Sequence, residues 1–580
     1  MRKTIARALT ALAFAAFVIP QSALAAGPLN MTVSKSLAQT LAMLPEKARE
    51  RTDTIVIGVT DLYGEMNPLF AKTQGDTYAA GLMFDEWVFL DEYGEWGSGM
   101  ADVSVSDDDL TYTFTLKPAR YSDGSLVLAE DCVNALYLAT TPGYDGNRDL
   151  SSLSIQGLDE YIAGTADTVT GFQVLGNTSF SVTLTRPDAS AASLFTLPAL
   201  RVAHFGSMIR PEGMGESPEA SAAFYARRLS EVKAADASLA GYGQYDLESF
   251  EAGNQARFVA NADYWRAKPS TEYIEMKAIP VGGEYDAILD GDVDITFCYP
   301  SFDQIDRLFA DGQGFVSMYE YQGDAFGYLG MDLSAPPFSD ERVRRAFAHG
   351  IRRWTVEEET LERFGSLPGM ILFDSFGTAS DVLGELYPYD ANKAYELMVE
   401  AGWEFDEENA LRKDGEQFAF TFTAAKENPI TEALVTEMEY FCRYMGIALT
   451  VEVVPLEELI AKVESGECDM YLMARKLPAS AAAAARLFGG GGATNTLGYD
   501  SDGLDRFFMW AALEPTAQRQ SMVYEGLFQQ LYLELPMIPL YRRNDYLLIS
   551  ARVRNTYIST GHDIVAEAYR MIVITQLEPD

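Results

Sequence analysis

Between Phe418 and Arg475 the hydrophobic period switches back and forth between two values, and this limits the possible folds more than any other feature. Phe418 to Thr423 reads as a strand. Leu434, Met438, Phe441 and Met445 then recur at helical spacing, and Gly446 suits the left-handed position that ends a helix. Ile447 to Val453 is a second strand, Leu456 to Glu464 a short helix stopping near Gly466, and Asp469 to Ala474 a third strand. Strands separated by single helices pair in parallel through right-handed crossovers, which makes this an α/β chain. In open sheets of this kind ligands gather outside the carboxyl ends of the strands. The third strand delivers Arg475 and Lys476 to that place.

Two further helices carry start signals. Ser339 precedes Asp340 and Glu341, acids that the helix dipole favours in a first turn, and Val343, Phe347 and Ile351 follow as an apolar stripe. Asp390 precedes Ala394, Leu397, Met398 and Ala401, with Gly402 as the stop. Both stripes, and Trp87 and Trp403, read as core. Earlier, a helical stretch near Val33 to Arg51 leads into the strand Thr54–Val59, where the globular fold starts. Leu110 to Leu116 alternates as a strand, as does Phe180 to Leu184 after a turn at Gly176-Asn177. At 580 residues the chain has room for roughly four domains of about 150 residues, or for fewer large lobes.

The first residues place Arg2, Lys3 and Arg7 before an apolar run from Ala8 to Ile19 and the small residues Ser22 to Ala26, the pattern of a cleaved export signal over 1–26. The run is shorter than the roughly 20 residues that span a bilayer, and no Cys follows the small residues to carry a lipid anchor. The expected location is therefore the periplasm, with no stable membrane insertion. The formal net charge of −41 argues against nucleic acid and anionic membranes as natural partners. Four cysteines (Cys132, Cys298, Cys442, Cys468) leave two bridges or buried free thiols open.

The catalytic inventory is thin. His204, His349 and His562 are far apart and lack ligand spacing, so no metal hydrolase site is indicated. There is no G-x-S-x-G elbow and no G-x-x-x-x-G-K-[ST] loop. Gly489 to Gly492 lacks the following Lys and Ser/Thr and reads as a loop. Asp290 to Asp294 lacks the central Gly and distal Glu of a calcium loop and reads as a turn entering a strand. No cofactor is called for.

The run "VSDDDLTYTFTLKPARYSDGSLVLAEDCVNAL" resembles the signature of the extracellular solute-binding proteins of family 5, the peptide-binding components of ABC importers. Ser122, Asp123, Gly124, Ala129 and Asp131 match, with Tyr121 for the usual aromatic and Cys132 for the usual Val. Gly243, Tyr245, Asn261, Tyr264 and Trp265 match a later segment; Gly291 and Asp294 another; Pro337, Phe338, Asp340, Arg342, Val343, Arg344 and Ala346 a third. "DANKAYELMVEAGW" and "ELPMIPLY" follow in the family's order, so the resemblance covers essentially everything after Arg51.

The resemblance implies a two-lobed periplasmic-binding-protein-like (type II) α/β fold with a hinge and a smaller domain inserted in the first lobe. On this chain the N-terminal helical extension takes 27–51. The first lobe takes 52–90, 187–320 and 541–580, the inserted domain 91–186, and the second lobe 321–540. It further implies a non-enzymatic, monomeric protein that captures a small-molecule or oligopeptide ligand and delivers it to ABC importer permease subunits. The site residues it suggests are Tyr328, Arg475, Lys476, Asn495 and Tyr499. Tyr328 has two placements open, cleft or core. Asn495, Gly498 and Tyr499 match an N-x-x-G-Y turn that is either site or scaffold.

Departures bear on the ligand. Peptide binders of the family place an Asp after the strand that here ends in "DMYLMARKLPAS", where it pairs with the peptide's ammonium group. This chain has Arg475, Lys476 and Pro478 there and no acid from Met470 through Ala485. If the two cations face the cleft, a ligand carboxylate or phosphate is their counterpart; otherwise they meet the chain's own acids or solvent. Arg352 replaces a customary Asp. Besides peptide capture, two readings stay open: the same fold holding an oligosaccharide, metal chelate or anionic metabolite, and a secreted acidic hydrolase.

Overall fold

The computed structural model describes residues 37–89, 99–148, 150, 153–188, 191–298, 302–311, 314–355, 365–366, 387–426, 428, 430–476, 481–489, 495, 497, 499–513, 517–556 and 564–574. The export signal, His562, the glycines after Gly489, and Gly498 lie outside them. The strands, in chain order, begin with β1 (Thr54–Val59), β2 (Ala101–Val105), β3 (Thr111–Leu116), β4 (Phe172–Gly176) and β5 (Ser179–Thr183). Next come β6 (Tyr245–Glu251), β7 (Gln255–Ala260), β8 (Tyr273–Ala278), β9 (Ile295–Cys298), β10 (Val316–Met331) and β11 (Gly365–Ser366). Three short strands, β12 (Glu404–Phe405), β13 (Leu411–Lys413) and β14 (Glu416–Gln417), precede β15 (Ala419–Ala425), β16 (Ala448–Val454), β17 (Met470–Lys476) and β18 (Ile538–Ser550).

One eleven-stranded sheet runs in the order β16-β15-β17-β10-β18-β9-β1-β8-β7-β6, with β11 beside β18. The strands expected between Phe418 and Arg475 are β15, β16 and β17, and β15 pairs in parallel with both others. Gly446 and Gly466, at φ of 62° and 73°, end the intervening helices in the left-handed region where a Cβ is costly. A separate four-stranded sheet, β2-β3-β5-β4, is antiparallel throughout.

Buried side chains divide between the two halves of the large sheet. One core draws on residues from Phe326 to Tyr541 alone; another runs from Ile55 to Ile295 and resumes from Leu547 to Met571. A third, from Leu41 to Phe315 with Val316, Met318, Tyr546 and Leu548, packs the N-terminal helices onto the back of β1 and β9. Among the described residues, only β10 and β18 supply residues to cores on both sides. Their ladder is irregular where the cores change, between Gln322 and Phe326 and again between Gly327 and Tyr328. Such bulges bend a ribbon locally. The four-stranded sheet has no core of its own: Phe114 and Phe180 stack 4.9 Å apart and both pack against Trp87, within the cluster that holds β1.

The acid-capped turn is structural. Gly124 takes φ +84°, and Asp123 accepts from the Ser125 amide and hydroxyl and from Arg201. Asp131 opens the helix Ala129–Ala139, accepting from the Leu128 amide, the Tyr121 hydroxyl and the Val202 amide, so one carboxylate joins three segments. Asp294, fully buried, does the same for distant parts of the chain. It accepts from the Val56 amide at 2.8 Å, Arg552 at 2.6 Å and Arg51 at 3.1 Å. The start signal near Ser339 shifts by one residue: Asp340 is the cap, its carboxylate accepting from the Arg342 amide. Asp390 caps the helix Ala391–Glu400 as expected.

Candidate ligand-binding cleft

The parallel strands β15 and β17 run their carboxyl ends toward the bulged part of β10 and β18, where one core stops and the other starts. Arg475 is the second-last residue of β17 and lies opposite Phe326, which on its other side lies opposite Arg542 of β18. Residues in register on neighbouring strands share a face of the sheet. Arg475, Phe326 and Arg542 therefore form one cross-strand row at the edge of the second core.

The Arg475 guanidinium carbon stands 5.9 Å from the centroid of the Tyr328 ring. Its Nη1 is buried and has no hydrogen-bond partner. Tyr328 is 3% exposed and packs against Phe326 and Tyr471, and burial raises its hydroxyl pKa. Of its two expected placements the structure selects the core, with the ring face turned to Arg475. Gly327 is required beside it: a Cβ there would lie 2.1 Å from the Tyr541 ring. Lys476 pairs with Ala325 through its backbone; its side chain lies outside the described residues.

Asn495 and Tyr499 are not brought to this place. The Leu333 amide donates to the Leu497 carbonyl, and the Asp332 amide to Asp469, just before β17 begins. The turn thus sits at the amino end of β17, about 17 Å along the strand from Arg475. Asn495 is consumed by the turn itself, its amide donating to the Gly489 and Tyr499 carbonyls at 3.1 and 2.6 Å. Tyr499 lines a cavity of 460 Å³ with Glu341, Arg344, Arg345 and Glu534. In this cavity wall Arg344, 4% exposed, donates to the carbonyls of Phe338, Ser339, Glu534 and Leu535, and burial pulls its pKa down to about 10.

Arg352, where an Asp was customary, makes a two-pronged pair with the buried carboxylate of Glu437 at 2.8 and 2.7 Å. His204 and His349 bond to the backbone carbonyls of Asp236 and Pro388. All four cysteines are buried and free, so the two-bridge alternative gives way to buried thiols. Among the described residues no group of His, Cys, Asp and Glu is placed to hold a metal ion. No helix among them is long and apolar enough to cross a membrane. Arg542 escaped the sequence reading. The available signal was Tyr541-Arg542-Arg543, a basic pair between the two apolar ends of a strand in an acidic chain.

Comparison with known proteins bears on this architecture. The family model of bacterial extracellular solute-binding proteins, family 5 Middle, matches residues 85–485. The oligopeptide-binding protein AppA of Bacillus subtilis is 23% identical over 238 residues, which is 40% of this chain and 43% of that protein. The chain thus aligns with less than half the length of that relative. The solved structure of B. subtilis AppA with a nonapeptide superposes with a TM-score of 0.67 at 17% identity, covering 90% of this chain and 99% of the other. NikA from Brucella suis, in complex with Fe(III)-EDTA, gives 0.69 at 17% identity over 90% of this chain and all of NikA. These likenesses show the type II fold. With the family model spanning more than half its length, the chain belongs to the bacterial extracellular solute-binding proteins of family 5.

Proposed function

We propose that this protein captures a peptide or peptide-like solute between two lobes and delivers it, chemically unchanged, to the permease of an ABC importer. One observation carries the reading: two separate cores are joined through the long antiparallel strands β10 and β18, whose pairing is irregular where the cores meet. A ribbon interrupted there lets the halves rotate as bodies while each core stays packed. The switch of cores supports the assigned boundaries, with the second lobe at 321–540, the first at 52–90, 187–320 and 541–580, and 91–186 as the inserted part. A ligand held at micromolar affinity supplies about 8 kcal/mol, which must include the difference between open and closed forms.

Export through the signal at 1–26 puts the mature chain in the periplasm as a monomer. Small-angle scattering on the purified mature chain, with the mass of any co-purifying solute read by native mass spectrometry, tests the proposal. A smaller radius of gyration in the loaded state, and a solute recovered at its original mass, are expected. Identical profiles, or a solute recovered cleaved as by a secreted hydrolase, defeat it. The unpaired Arg475 donor favours a second ligand reading, an anionic solute in the same cleft.

A further inference from the structure

We infer that β16, the outer edge strand of the large sheet, is a docking edge that takes an extended basic segment of a partner protein as an additional strand. Three strand spacings, about 14 Å, separate it from the hinge strand β10, so the inference does not depend on what the cleft holds.

β16 ends the sheet order, and its one strand neighbour is β15. The Ala448 amide donates to the Phe418 carbonyl just before β15, and the Val454 carbonyl accepts from the Lys426 amide just after it. In a strand the amide and carbonyl of one residue point the same way, and successive residues alternate. Residues 448, 450, 452 and 454 therefore address β15, while Leu449, Val451 and Val453 turn their amides and carbonyls outward. Among the described residues no strand pairs with them.

Native proteins blunt such edges, because a row of open backbone groups pairs with any strand that arrives. The opposite edge of the same sheet shows the usual devices: β6 shifts register between Leu247 and Ser249 and carries Asp246, Glu248 and Glu251. β16 lacks them. Its seven pairs with β15 run without interruption, it holds no Pro and no Lys, and Thr450, Val451, Val453 and Val454 are β-branched. Its one charged side chain, Glu452, is taken up by Lys462 at 2.7 Å. Val453 is 47% exposed, and Leu456, just past the strand, 48%. A straight, bare, apolar edge suits strand addition, in which main-chain bonds supply affinity and alternate side chains supply selectivity.

Charge identifies the occupant. From Gly446 to Asp469 there are six acids and one Lys, and that Lys already holds Glu452. Glu457 and Glu458 stand exposed in the first turn of the helix Leu456–Ser465, at the carboxyl end of β16. A second copy of this chain would bring the same acids, and a net charge of −41, against them, so self-pairing is opposed. An extended segment that alternates Lys or Arg with apolar residues meets both demands: its backbone extends the ladder and its cations answer the acids.

The test uses the mature full-length chain. A fluorescent peptide alternating Lys and Val, matched in length to β16, is offered beside the same peptide methylated at alternate backbone nitrogens and a peptide alternating Glu and Val. Fluorescence anisotropy should show the Lys peptide bound and each control weaker by about tenfold or more. Val451→Pro removes an outward amide and no bond to β15, so it should weaken the Lys peptide by about tenfold or more with the melting temperature unchanged. Glu457→Gln combined with Glu458→Gln should weaken it several-fold without touching the backbone, which decides the matter if the proline disturbs folding. Solute retention in the cleft, followed by native mass spectrometry, stays the same in both variants. Equal binding of the Lys and Glu peptides, indifference to N-methylation, or unchanged affinity in both variants overturns the inference. A Lys peptide that displaces the cleft's solute and ignores Val451→Pro is cleft cargo, and a dimer in sedimentation that Val451→Pro dissolves gives the edge to a second copy; either result also overturns it.

Discussion

Arg344 and Arg475 sit at opposite ends of the sheet half formed by β15, β16, β17 and the adjoining parts of β10 and β18, and their surroundings differ in kind. At the far end Arg344 ties the loop before the helix Glu341–Gly350 to the end of the helix Ala517–Glu534 through four carbonyls. Nearby, Asn495 closes its own turn and Arg345 donates to the Leu533 carbonyl. At the hinge end Arg475 keeps a buried donor unspent. A saturated cation holds a fold together; one with a buried donor unspent at a boundary between two cores contributes less to it. Both lie in stretches that look equally basic in the sequence, so charge alone does not separate them.

Substitutions at the two ends break or sharpen this contrast. The largest effect is expected from Arg344→Ala, which orphans four buried carbonyls and should cost about 3 kcal/mol in urea unfolding. Arg344→Lys should recover little, because an ammonium cannot reach all four. Arg352→Ala strands the Glu437 carboxylate; since the arginine is partly in water, the loss should be about 1–2 kcal/mol, read from the same midpoint.

Asn495→Ala should cost about 1 kcal/mol by removing the turn's internal bonds, without changing ligand affinity in calorimetry. An affinity change there would mean that the far end also touches solute. Glu534, half-buried beside Arg344, has its pKa raised by burial. The folded chain therefore keeps a proton that the unfolded chain releases, and stability falls as pH rises from about 4 through the folded value. Glu534→Gln should flatten that slope in pH-dependent melting. The smallest shift, within about 0.5 kcal/mol, is expected from Arg475→Ala in the unliganded protein. A large loss there would make Arg475 a structural cation like Arg344 and erase the contrast.

Much of the fold was legible because local periodicity and stop signals determine it. The strand-helix alternation from Phe418 to Arg475 ended in the expected parallel pairs, with Gly446 and Gly466 where left-handed backbone ends a helix. Asp390 was readable as a cap for the same reason, while the neighbouring Ser339 and Asp340 are both good caps and only packing chose the second. The site was less legible. Arg475 was reachable as the end of a parallel strand, but Asn495 and Tyr499 follow it by a helix that carries the chain back to the opposite end of the sheet. Arg542, far away in sequence, lies one strand beyond Phe326.

What the amino-acid order determined by itself was the class of fold, the export pattern, the acidity and the family, since each is written in short-range patterns or ordered motifs. Tertiary structure alone decided that four cysteines stay apart, that Asp294 gathers Arg51 and Arg552 from opposite ends of the chain, and that the buried Nη1 of Arg475 has no acceptor among the described residues. These depend on which residues meet across hundreds of positions, and burial, which makes an unmet donor costly, exists only once the chain has closed around it.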